Sequence, residues 1–151
     1  LPAKFLGQLG AESWASTPGG ALRGDFEYAG TSCNFTRSRP MLGCAYRNHL
    51  YPQGYTFRGQ SIGHAMGGDG RMYSLGSLLV RPNGDSLSVL LRKVELNRGG
   101  AASSRLKNVE VQYNRPFARG ELRLGLGYND FDIEPADGPD FTGFIEWRQG
   151  I

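Results

Sequence analysis

Gly20-Ala21-Leu22-Arg23-Gly24-Asp25-Phe26-Glu27-Tyr28-Ala29 is the stretch that decides the fold class. Leu22, Phe26 and Tyr28 fall on even positions, and Arg23, Asp25 and Glu27 on odd ones. A period of two belongs to a strand with one apolar and one charged face, because successive side chains of a strand point to opposite sides. The design returns in Val109, Val111 and Tyr113 against Glu110, Gln112 and Asn114, and in Leu122, Leu124, Leu126 and Tyr128 against Glu121, Arg123, Gly125 and Gly127. A last segment sets Phe141, Ile145, Trp147 and Ile151 against Thr142, Glu146 and Arg148, with Phe144 breaking the pattern.

Two further strands are expected over Arg71–Val80 and Asp85–Asn97, joined by Arg81-Pro82-Asn83-Gly84. The Asn-Gly pair is expected to supply the two positive-φ residues of a tight hairpin. Consecutive Leu78, Leu79 and Val80, and the run Leu90-Leu91-Arg92, hide which face each side chain takes. A first strand over about Lys4–Trp14 brings the number to seven.

Composition agrees with extended structure. Of 151 residues, 23 are glycine, eight phenylalanine, seven tyrosine and two tryptophan, whereas strong helix-forming runs are lacking. The net charge of +3 is dispersed, so nucleic acid is not an expected partner. No stretch reaches the roughly 18 consecutive apolar residues of a membrane-spanning helix. A spanning β-strand needs only about 9–11 residues, apolar at every second position.

The expected connections alternate in length along the chain. Thr17–Gly20 is short and the segment from Ser32 to Gly70 very long; Arg81–Gly84 is short, Arg98–Lys107 longer, Arg115–Arg119 short and Asp132–Asp140 longer. In an up-and-down barrel odd connections lie at one end and even ones at the other, short turns facing the periplasm and long loops the exterior. The fold class expected is therefore all-β: an antiparallel up-and-down transmembrane β-barrel, partial, with about seven strands here. Closed bacterial barrels use even numbers of strands. Either further strands lie outside this chain or one more is hidden within it. A soluble sandwich, whose polar faces meet bulk water, is the competing architecture.

The 32–70 segment holds both cysteines, both histidines and several tyrosines. Loops this long without structure of their own are usually functional or disordered. Cys33 and Cys44 suit a structural disulfide in an oxidising compartment, against the alternative of two buried free thiols. Gly59-Gln60-Ser61-Ile62-Gly63 matches the G-x-S-x-G nucleophile elbow, yet no helical periodicity follows it, so the serine-hydrolase reading ranks last. His49, His64 and Asp69 are metal-ligand types without diagnostic spacing, and neither metal nor cofactor is expected. Tyr46, Tyr51, Tyr55 and Phe57 could stack on pyranose rings while Arg47, Asn48, Gln53 and Arg58 bond hydroxyls or carboxylates. Packing of the loop on itself, or an interfacial aromatic girdle, would use the same aromatics.

Phe26-Glu27-Tyr28-Ala29, Ala45-Tyr46-Arg47-Asn48-His49, Tyr51, Gly54-Tyr55, Arg58-Gly59, Ile62-Gly63-His64 and Asp69 together resemble the pattern of the Wzi family of capsule assembly proteins. The resemblance implies a bacterial outer-membrane β-barrel, lectin-like and without catalysis, that helps hold capsular polysaccharide or another exopolysaccharide at the cell surface. It places residues 1–151 in the C-terminal portion of one barrel domain with an external loop at 32–70, lacking the family's N-terminal strands and small periplasmic helical element. The sugar-contact set proposed from the loop is Tyr46, Arg47, Asn48, His49, Tyr51, Tyr55, Arg58 and His64. The partners expected are the polysaccharide, outer-membrane lipid and the barrel strands missing from this chain. A general outer-membrane porin or channel is the alternative function.

Overall fold

The structure is a computed structural model that describes residues 6–34, 36–44, 56–57, 60–61, 66–98, 103–117, 119–132 and 138–149. Its main element is one antiparallel sheet of seven strands: β1 (Gly7–Thr17), β2 (Gly20–Gly30), β5 (Arg71–Val80), β6 (Ser86–Leu96), β7 (Ser104–Phe117), β8 (Gly120–Asp132) and β9 (Gly138–Gln149). They lie in chain order, as a meander. Two short strands, β3 (Thr56–Phe57) and β4 (Gln60–Ser61), pair with each other inside the long connection. Among the described residues β1 pairs only with β2 and β9 only with β8, so the sheet is open. Six successive antiparallel pairings leave β1 and β9 running in the same direction.

The register turns parity into faces. Three neighbouring rows on one face are apolar: Phe26, Leu75, Leu91, Val109, Tyr128 and Phe141; then Val89, Val111 and Leu126 among small residues; then Leu22, Leu79, Leu87, Tyr113, Leu124 and Ile145. Among the described residues nothing covers them. Leu126 is 71% exposed and Ile145 80%, and Ala29 and Cys33 are the buried hydrophobic residues among those described. A soluble sandwich would bury such rows under a second sheet, and exposing them to water is an aggregation hazard. In hydrocarbon the same surface costs nothing, as the lipid-facing wall of a barrel requires. Lys107 and Arg115 bracket Val109, Val111 and Tyr113 on this face of β7. At roughly 3.4 Å per residue they are about 27 Å apart along the strand. A tilt of about 40° reduces this to about 20 Å, close to the ~25 Å apolar band of outer-membrane barrels.

The opposite face is polar. Arg23, Asp25, Glu27, Glu121 and Arg123 share it with Asn108, Glu110, Gln112 and Thr142. The faces left unassigned by the sequence are now fixed: Tyr73, Leu75 and Leu79 point with the apolar rows, Leu78 and Leu90 with the polar ones. Phe144 also turns to the polar side, because it stands opposite Gly125 and its ring lies over that glycine, where a Cβ would collide with it.

Several expectations need correction. The first strand is shifted toward the C-terminus relative to Lys4–Trp14 and runs through Thr17. In the 81–85 turn Gly84 has positive φ (86°) but Asn83 does not. The N–H of Gly84 donates to the Arg81 carbonyl at 3.0 Å and that of Arg81 to the Asp85 carbonyl at 2.8 Å. Pro82 presets the first central φ of a type I turn, and Gly84 then takes the left-handed position of a three-residue hairpin loop. The alternation of connection lengths holds strongly for 18–19 against 31–70, whereas 133–137 is no longer than 81–85 because β9 begins early, at Gly138.

Candidate functional site

The long connection leaves β2 and returns to β5 at one end of the sheet, and its two feet are fastened together. The Thr31 N–H donates to the Gly70 carbonyl at 3.0 Å, and the Gly70 N–H to Thr31 Oγ1 at 2.8 Å. Cys33 and Met41 exchange backbone hydrogen bonds of 3.1 and 2.9 Å around a turn that starts at Asn34. Asn34 has φ 55°, a left-handed conformation that asparagine tolerates. Cys33 is disulfide-bonded to Cys44 with a Cα–Cα distance of 6.0 Å. Closing a ring of this size removes about 3 kcal/mol of chain entropy from the unfolded state in the loop-closure account.

Asp69 ties this hairpin to the rest. It is 2% exposed, and both carboxylate oxygens accept the Gly43 N–H, at 2.8 and 2.7 Å. Its carbonyl accepts the Arg98 N–H at 3.3 Å, which links the long loop to the neighbouring connection after β6. A buried carboxylate without such a donor would be costly. The carboxylate considered above as a metal ligand is therefore engaged with backbone.

Tyr46, Arg47, Asn48, His49, Tyr51, Tyr55, Arg58 and His64 lie outside the described residues. What is described is the frame that holds their loop: the disulfide hairpin, the Thr31–Gly70 closure, the Asp69 clamp and the β3–β4 pairing. Ser61 of the elbow-like motif sits in β4, opposite Thr56 in a β-pairing. An elbow requires passage from a strand into a helix, and residues 62–65, which follow Ser61, lie outside the described residues.

The polar face carries a second set of groups. Asn108 Nδ2 donates to Asn129 Oδ1 at 2.8 Å, while the buried Asn108 Oδ1 meets no donor among the described residues. These amides, with Glu110, Gln112, Thr142 and the Phe144 ring, line a groove of about 170 Å³. A wider groove of about 300 Å³ beside it is lined by Arg23, Asp25, Ser88, Glu110 and Gln112. Asp25 lies over Gly76, its Oδ2 2.5 Å from where a Cβ would stand. Ion pairs such as Arg23–Glu12 at 2.8 Å are largely exposed, so each contributes at most about 1 kcal/mol. Sequence parity had assigned this face its charges, but the amide pair and the aromatic wall emerge only with the register. Amides, a carboxylate and one ring edge suit hydroxyl-rich ligands or ordered water.

A family model described as capsule assembly protein Wzi matches residues 9–141. Among solved structures, the chain is similar to Wzi of Escherichia coli, described as an outer-membrane protein involved in group 1 capsule assembly and a carbohydrate-binding β-barrel. The TM-score is 0.63 at 19% identity, covering 95% of this chain and 34% of that one. At that identity the likeness establishes the fold, and the chain spans about a third of the length of that protein. No curated protein sequence matches.

Proposed function

The chain belongs to the Wzi family of capsule assembly proteins, and from that premise we propose that it forms the C-terminal part of an outer-membrane barrel that holds capsular polysaccharide or exopolysaccharide at the cell surface. Its role is lectin-like and non-catalytic, with the 32–70 loop supplying most of the sugar affinity. The observation that carries this reading is the fastening of that loop at both feet, by Thr31 with Gly70 and by Asp69 with the disulfide hairpin. A loop whose feet are fixed in advance loses less entropy when it binds. On this frame Tyr46, Tyr51 and Tyr55 stack on sugar rings, and Arg47, Asn48, His49, Arg58 and His64 bond hydroxyl or carboxylate oxygens.

The test is cell-surface retention of polysaccharide by full-length protein at matched outer-membrane abundance. Tyr46→Ala with Arg58→Ala should abolish retention, and Cys33→Ser with Cys44→Ser should weaken it without unfolding the barrel. Asp25→Asn with Glu27→Gln, on the polar face, should leave it intact. The reverse pattern would move the site inside the barrel, the second reading that the luminal grooves support. A porin would show ion conductance that saturating polysaccharide does not block, and a hydrolase would lose turnover on Ser61→Ala.

A further inference from the structure

At the long-loop end of the apolar face the rows change character. Tyr28, Tyr73, Lys93, Lys107 and Asp130 stand in register, and beyond them come Arg71, Glu95, Arg105 and Asp132. Lys93 is directly opposite Lys107, an arrangement of like charges that destabilises a strand pair. Three cations also converge on one carboxylate. Glu95 accepts from Arg71 Nη2 at 2.6 Å, and Lys93 Nζ and Arg98 Nε lie 3.4 and 3.5 Å from its oxygens. The Arg71 guanidinium is 5.7 Å from the Tyr73 ring centroid. Lys107 has Asp130 at 2.9 Å. Among the described residues positive charge thus exceeds negative in a patch that adjoins Leu75, Leu91 and Val109, the first apolar row.

We propose that Arg71, Lys93, Arg98 and Lys107 bind the phosphate headgroup of an outer-leaflet lipid whose acyl chains lie along Leu75, Leu91 and Val109. The inference rests on the membrane-barrel reading of the sheet. Phosphate fits by charge, since it supplies the anion that three cations sharing one carboxylate lack, and arginine and lysine both donate to phosphate oxygens. A lipid fits by position: a soluble anion would gain nothing from the uncovered leucines directly beneath, and Arg71, Lys93 and Lys107 face outward with them rather than into the lumen.

Full-length protein in non-ionic detergent is titrated with diphosphoryl lipid A, with its phosphatase-treated form and with inorganic phosphate, bound lipid being read by native mass spectrometry. Wild-type protein should prefer the phosphorylated lipid. Lys93→Gln with Lys107→Gln should reduce that preference by about 30-fold, each lysine at a membrane surface contributing on the order of five-fold. Lys93→Arg with Lys107→Arg should retain it, as should Arg148→Gln on the luminal face. Heat-modifiable gel migration checks that every variant is folded. Equal binding of the dephosphorylated lipid, an unchanged preference in the glutamine pair, or displacement of the bound lipid by an acidic polysaccharide or by inorganic phosphate alone would overturn the proposal. Its failure is separable from that of the membrane reading, which stands or falls on whether the wild-type protein inserts into phospholipid vesicles at all.

Discussion

The two faces of the seven-stranded sheet share one backbone and one set of hydrogen bonds, yet they invert the usual relation between burial and polarity. On the outer face Leu75, Leu126 and Ile145 are open to the surroundings, whereas on the inner face Ser74 and Asn108 are buried among polar neighbours. A water-soluble sheet hides its leucines and wets its asparagines. The difference teaches that the solvent on each side, rather than any intrinsic strand preference, accounts for which residues occupy each parity.

Leu126→Arg offers the largest expected break of this comparison. Set in the central apolar row, it should cost about 2–4 kcal/mol in vesicle-folded full-length protein measured by urea titration. Gln112→Arg on the luminal side should change stability by less than about 0.5 kcal/mol. Equal costs would mean that lipid does not bathe the outer face.

The clamp at the foot of the loop sharpens the contrast, since Asp69 is buried where the chain rejoins the wall. Asp69→Ala removes the acceptor of the Gly43 N–H and should destabilise the loop by about 1–3 kcal/mol. Faster proteolysis within 32–70 at an unchanged barrel midpoint is the expected readout. Asp69→Asn keeps a residue suited to the observed φ of 64° and should have the smaller effect.

Gly125→Ala should cost roughly 1–2 kcal/mol by displacing the Phe144 ring. In that background Phe144→Ala should cost almost nothing further, and a double-mutant cycle measures the coupling. The smallest effect concerns the short-turn end, where the Tyr113 hydroxyl donates to Asp85 Oδ2 at 3.0 Å. Tyr113→Phe should lose about 1 kcal/mol by the same urea titration.

Much of the wall was legible because parity is a local property. Leu22 with Arg23, and Leu124 with Arg123, announce two faces before any partner strand is known. The strand limit at Val80 followed from the turn residues at Pro82 and Gly84, although the turn's own conformation did not. The candidate site was less legible. Residue types in 32–70 suggested sugar contacts and a disulfide, but no local pattern connects Asp69 with Gly43, which are 26 positions apart.

By itself, then, the sequence determined an all-β chain of alternating strands, the short turn before β2 and the very long connection after it, and the family resemblance, since each is written in neighbouring residues or in a recognisable string. Tertiary structure alone decided the rest: that Leu79 faces outward and Leu78 inward, that Phe144 lies across Gly125, that Lys93 meets Lys107, and that the loop's two feet are joined. These depend on register, and a shift of one residue between strands would send every side chain to the opposite face without altering a single local preference.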